Sequence, residues 1–176
     1  MANIMICEGA HGTTKSRADE IQENGFKLGS GRAGNGVYFW HKSRYYSILA
    51  KGWHKQCFYK HKYDKDFDKN CVIIFAQLEA DENSVLDMES PYLKDRISEL
   101  AEAQKVSFTD NNKISKLYDA FIKIMEAELQ TTFKFVLIRV APPERACCPD
   151  YPLNIIGAPL CCVVRDNTCI TITKCQ

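Results

Sequence analysis

Apolar and polar positions change period several times along the chain, and each change marks an element. Asn3 to Glu8 is a short apolar run that predicts a first strand, with His11 at its exit. Thr13 or Thr14 then caps a predicted helix with Ala18 and Ile21 inward, Arg17, Asp19, Glu20 and Glu23 in water, and Gly25 as its stop. Phe26 and Leu28 return the chain to the core. After a glycine-rich connector from Gly29 to Gly36, the strand through Gly36, Val37, Tyr38 and Phe39 aims its two aromatics at opposite faces. Ser43 to Lys55 has helical spacing, with Tyr45, Ile48, Leu49 and Trp53 inward.

Cys71 to Glu79 is a β-branched run of strand length, bounded by charge, which predicts a central strand, and Val85 to Met88 follows as an edge piece. Two amphipathic helices come next. Pro91 opens one that carries Leu93, Ile97, Leu100 and Ala101 on one face; the other carries Ile114, Leu117, Tyr118, Phe121, Ile122 and Met125. Thr132 to Val140 predicts a strand, Pro142 and Pro143 open a loop through Pro159, and Leu160 to Arg165 and Thr168 to Thr173 predict two last strands joined by a tight turn at Asp166-Asn167. Strands at both ends with helices grouped between them predict an α+β class with antiparallel sheets and not an alternating parallel fold.

A length of 176 residues is one domain's worth, so residues 1–176 are expected to bury a single core without staples. With 23 basic against 22 acidic residues, no global field favours nucleic acid or an anionic membrane. Between Lys51 and Lys69, lysines, His54 and His61 alternate with Phe58, Tyr59, Tyr63 and Phe67, a pattern that can track a phosphate backbone. Asp64, Asp66 and Asp68 cancel most of that charge, so an exposed insertion is expected there instead.

No apolar run is long enough to span a bilayer, and Glu8 interrupts anything resembling a signal peptide, so a cytoplasmic protein is expected. The nine cysteines are odd in number, and several sit in apolar runs (Cys7, Cys71, Cys162), where they read as small buried hydrophobes. No Cys-x-x-Cys occurs, and no metal site is expected; only scattered ligands such as Cys147, Cys148 and His61 could supply one.

The chemistry concentrates in His11 to Tyr46, where His11-Gly12-Thr13, a short helix ending in Asn24-Gly25-Phe26, a loop rich in glycine and the strand Gly36-Val37-Tyr38-Phe39 follow one another. An imidazole beside a residue with no side chain lets a planar ligand lie against bare backbone. The glycine loop is not a Rossmann fingerprint, because no strand leads into it and a strand follows it. This stretch resembles the NAD-binding half of the diphtheria-toxin-like ADP-ribosyltransferases, the class that includes the poly(ADP-ribose) polymerase catalytic domains. Those enzymes carry a His-Tyr-Glu signature on three strands, and its first two members match in type, order and context. Beyond Tyr46 the resemblance thins to Cys71–Met88 and Leu160–Ile172, which read like the later core strands.

The resemblance implies two packed, mostly antiparallel sheets flanked by helices, with an NAD cleft between the sheets. It implies transfer of ADP-ribose from NAD to a macromolecular or small-molecule acceptor, with nicotinamide leaving. His11 would donate a hydrogen bond to the adenosine ribose, Gly12 would grip the nicotinamide carboxamide through its backbone, and Thr13 would border that site. Tyr38 would form one face of the nicotinamide pocket, with Tyr46 a stacking partner and Arg32 a pyrophosphate contact. The strand that should carry the glutamate offers Cys161 at that place, or Asn167 or Thr168 in another register. A neutral group stabilises the sugar cation less, so single transfers are expected instead of polymer, and Cys161→Glu is expected to leave the fold intact. Two other readings stand beside it: an inactive module that binds NAD or ADP-ribose, and an RNA 2′-phosphotransferase, for which only His11, Arg32 and Arg165 could surround a phosphate.

Overall fold

Thr14 starts the first helix because its hydroxyl oxygen accepts the Arg17 backbone N–H, and Gly25 stops it at a φ of 77°, a conformation that costs a glycine little. The computed structural model describes residues 3–176. Its elements are β1 (Ile4–Thr14), α1 (Lys15–Asn24), β2 (Gly29–Gly31), β3 (Gly34–His41), α2 (Tyr46–Tyr59), β4 (Cys71–Asp81), β5 (Val85–Asp87), α3 (Pro91–Ala103), α4 (Asn111–Leu129), β6 (Phe135–Arg139), α5 (Leu153–Ile156), β7 (Leu160–Val164) and β8 (Ile170–Cys175). The first strand outruns its apolar run by six residues, since β4 pairs with it from Ile4 through Thr14; His11 therefore sits inside the strand and not at its exit.

The α+β class holds. In place of two separate sheets, however, the strands form one mixed eight-stranded sheet in the order β5-β6-β7-β3-β1-β4-β8, with β2 hairpinned onto β3. Among the described residues only β5 and β6 run parallel. The two halves of this sheet are joined at β1 and β3 by just two register pairs, Gly9↔His41 and Ala10↔Trp40. On one face Phe39, Ile74, Leu78, Phe135, Cys162 and Val164 are all buried in one cluster, against which α1 is the one α-helix among the described residues. Burial that complete under one short helix requires the sheet to curl over its own face. Cys7 and Cys162 show the result: β3 lies between their strands, yet their sulfurs are 3.7 Å apart. The opposite face is covered by α3 and α4 over β6, β7 and the start of β3, and by α2 over β1 and β4.

The expected β7–β8 hairpin does not form. Asp166 caps a single 3-10 turn, Asn167–Cys169, which carries the chain across to β4, so β7 pairs with β3 and β6 while β8 pairs with β4. The segment from Lys51 to Lys69 is not a free insertion either. The helix α2 extends to Tyr59, Tyr63 is buried and stacks on His54 at 5.2 Å, and Asp66 accepts from Thr14 and Arg17. Cys71, read as a buried hydrophobe, is exposed. No helix among the described residues is long and apolar enough to cross a membrane.

Candidate functional site

The short β1–β3 ladder ends in a fork. The Lys42 N–H donates to the Glu8 carbonyl, which fixes the alternation: Glu8, Ala10 and Gly12 turn their backbone N–H and C=O toward β3. The register stops at Ala10↔Trp40, after which β1 continues along β4 and β3 runs along β7. Gly12 therefore presents its N–H and C=O to the fork, beyond the last β3 partner. The Tyr38 carbonyl, which a longer ladder would pair with Gly12, instead lies 2.9 Å from His11 Nδ1.

A carbonyl only accepts, so Nδ1 carries the proton. Burial between Phe26 and Phe39, whose ring centroids lie 5.4 and 5.7 Å away, holds the imidazole below the ordinary histidine range; the bond to Tyr38 opposes this more weakly. A neutral ring protonated on Nδ1 has only a lone pair on Nε2. At Nε2 the ring can therefore accept a hydrogen bond but not donate one, whereas the resemblance implies a donor.

His54 is also held below the usual range by burial, with Nε2 on the Lys69 carbonyl at 3.0 Å. With both folded values depressed, the unfolded chain binds more protons than the native one below about pH 6.5. Stability is full above that pH and is lost as pH falls toward the folded values. Urea midpoints should therefore drop between about pH 7.5 and 5.5, and less so in His11→Gln; equal slopes for the two proteins would assign the proton uptake to other groups.

Gly12 is bare for a reason of packing. A Cβ there would stand 1.9 Å from the Ala50 carbonyl oxygen, so α2 rests directly on β1. Thr13 is buried in β1 and so does not border an open site. Tyr38 points to the helix-covered face, opposite His11. Its hydroxyl donates to the Gly34 carbonyl at 2.6 Å and accepts the Ala33 N–H at 3.0 Å, and its ring covers Gly31. The phenol latches the β2–β3 hairpin instead of standing free as a pocket wall.

The remaining expected residues lie apart. Arg32, at the hairpin turn, lines a cleft of about 290 Å³ with Arg139, Tyr118, Ile97 and Phe108. Sequence reading missed Arg139, which nothing near it in the chain marks out. Tyr46 lies against Phe75 of β4 at 5.4 Å, on the far side of β1 from Tyr38. Cys161 is 2 % exposed among Val136, Ile138, Phe121 and Val163, and burial pushes its thiol up to about 12. Arg165 is bound to Asp119 at 2.9 Å and to the Asn35 carbonyl at 3.0 Å. Cys147, Cys148 and His61 do not gather as metal ligands; among the described residues the cluster that does is Cys7, His41 and Cys162.

No family model matches the chain, and no curated protein matches its sequence.

Proposed function

We propose that this chain binds NAD at the β1–β3 fork and transfers single ADP-ribose units from it, releasing nicotinamide. The observation that carries this reading is the Gly12 backbone edge, turned into the fork beside His11. A carboxamide is a donor and an acceptor in one plane, and an unpaired strand edge offers the complementary acceptor and donor. NAD seated there would bring a ribose hydroxyl within reach of His11 Nε2, which accepts its hydrogen bond.

The reaction breaks the bond from the ribose anomeric carbon to the nicotinamide nitrogen. The bonding pair goes to the ring, and the sugar carbon gains positive charge until the acceptor attacks it. The site's part is to hold the nicotinamide and exclude water. No carboxylate stands at the place Cys161 fills, and a buried protonated thiol neither stabilises the cation nor takes a proton from a sugar hydroxyl. That favours slow single transfers over polymer. The same observation favours a second reading, a module that binds NAD without turnover. The unpaired cysteines fit a reducing compartment, and the cytoplasm is the proposed location.

Incubation with NAD, followed by chromatography for nicotinamide and mass spectrometry for ADP-ribose added to the protein or a lysate, separates the two. Nicotinamide release with adducts supports transfer, and binding without release supports the module. Removing the acceptor in His11→Ala should weaken NAD binding by about 5- to 30-fold, the equivalent of one or two kcal/mol. Calorimetry giving the same affinity for both proteins would move NAD away from the fork.

A further inference from the structure

Three side chains on the inward face of the sheet converge outside the fork. Cys7 of β1, His41 at the end of β3 and Cys162 of β7 each offer one ligand atom, and the three atoms lie within 4.8 Å of one another. The two sulfurs are 3.7 Å apart. Tetrahedral zinc with Zn–S bonds of about 2.3 Å sets its sulfurs about 3.8 Å apart, whereas a disulfide needs about 2.05 Å. The thiols thus already stand at the edge length of a zinc tetrahedron.

We propose that Cys7, His41 and Cys162 bind one zinc ion. The His41 Nδ1 lies 3.1 Å from the Lys42 carbonyl, which only accepts, so Nδ1 bears the proton and Nε2 keeps the lone pair a metal takes. That hydrogen bond is the usual support of a ligating imidazole. Gly9, the register partner of His41, has no side chain to crowd the ring on this face. On binding, each thiol exchanges its S–H bond for a Zn–S bond, and two protons leave to solvent with no change of oxidation state. Two thiolates and a neutral imidazole make the complex uncharged, which suits the apolar layer around Cys7 and Cys162. Water from the half-buried His41 side fills the fourth position.

The ion would tie β1, β3 and β7 together where the two halves of the sheet share only two register pairs. The proposal rests on the ligand geometry and stands whether or not the fork binds NAD.

The test is metal analysis of protein purified under reducing conditions and, after stripping, reloaded with zinc or cobalt. Expected are one zinc per chain retained through gel filtration, and a cobalt form with thiolate charge-transfer and tetrahedral bands. His41→Ala, at a strand end, should stay folded and lose zinc affinity by at least about tenfold, while Cys71→Ser leaves it unchanged. Cys7→Ser and Cys162→Ser should abolish the charge-transfer bands. Should those two fail to fold, the His41→Ala comparison decides. Reduced protein that takes up no zinc, a cobalt spectrum indifferent to His41→Ala, or a Cys7–Cys162 disulfide in the protein purified under reducing conditions would each overturn the site.

Discussion

Gly12→Ala is expected to melt well below the parent protein. The added carbon would lie 1.9 Å from the Ala50 carbonyl oxygen and 2.7 Å from its carbonyl carbon. Both are backbone atoms of Ala50 in α2, so neither can rotate away as a side chain would. Relief requires lifting α2 from β1 and opening the cluster of Ala10, Trp40, Leu49 and Ile73 beneath it. Overpacking typically costs 1–3 kcal/mol, and a clash of backbone on backbone belongs at the top of that range, about 3 kcal/mol. In a domain of this size that lowers the melting temperature by roughly 6–12 °C. Gly29→Ala is the control, since nothing lies within 4 Å of the carbon it adds. Calorimetry that found the two variants equally stable would mean that α2 does not rest on β1 as described. A glycine that resembles a ligand-binding residue is thus, first, the contact point of a helix.

Cys161→Glu, read from sequence as a harmless probe of the missing carboxylate, is expected to be strongly destabilising. Cys161 sits under α3 and α4 among Val136, Ile138 and Val163, with no cation described as its partner. A glutamate there must stay protonated to remain folded, so its folded pKa rises above the unfolded value of about 4.3. The native variant then holds a proton that the unfolded chain has released, and stability falls as pH rises from that value toward the folded one. The loss grows by about 1.4 kcal/mol per pH unit and reaches roughly 4 kcal/mol by pH 7.5 if the folded pKa lies that high. Added to the lost packing, that is a large part of a typical domain's 5–15 kcal/mol. Urea titrations of the variant at about pH 5 and 7.5 read it directly. A pH-independent difference from the parent would show that the new carboxylate reaches water, and the strand would then be open enough to serve the chemistry.

Most of the elements were legible in the residues alone, though β2 and α5 fall in stretches read as loops. Thr14 and Gly25 bound α1 because a hydroxyl can cap a helix and a glycine can take a positive φ, whatever surrounds them. The stripes of α3 and α4 and the β-branched run of β4 were legible for the same reason: period and branching are local properties. His11, Gly12 and Tyr38 were legible as a group because they lie close along the chain and meet at one seam. Their orientation was not, since which face a strand residue takes is decided by what packs there: Phe26 and Phe39 draw His11 to one side, while the hairpin carbonyl and amide draw Tyr38 to the other. Arg32, Tyr46 and Cys161 scattered because strand order, which sequence spacing does not encode, sets the distance between elements. Strand order likewise carried β8 away from β7 to β4 and brought Cys7 to within 3.7 Å of Cys162 across 155 residues of chain, a meeting that follows only from a sheet curled over its own apolar face.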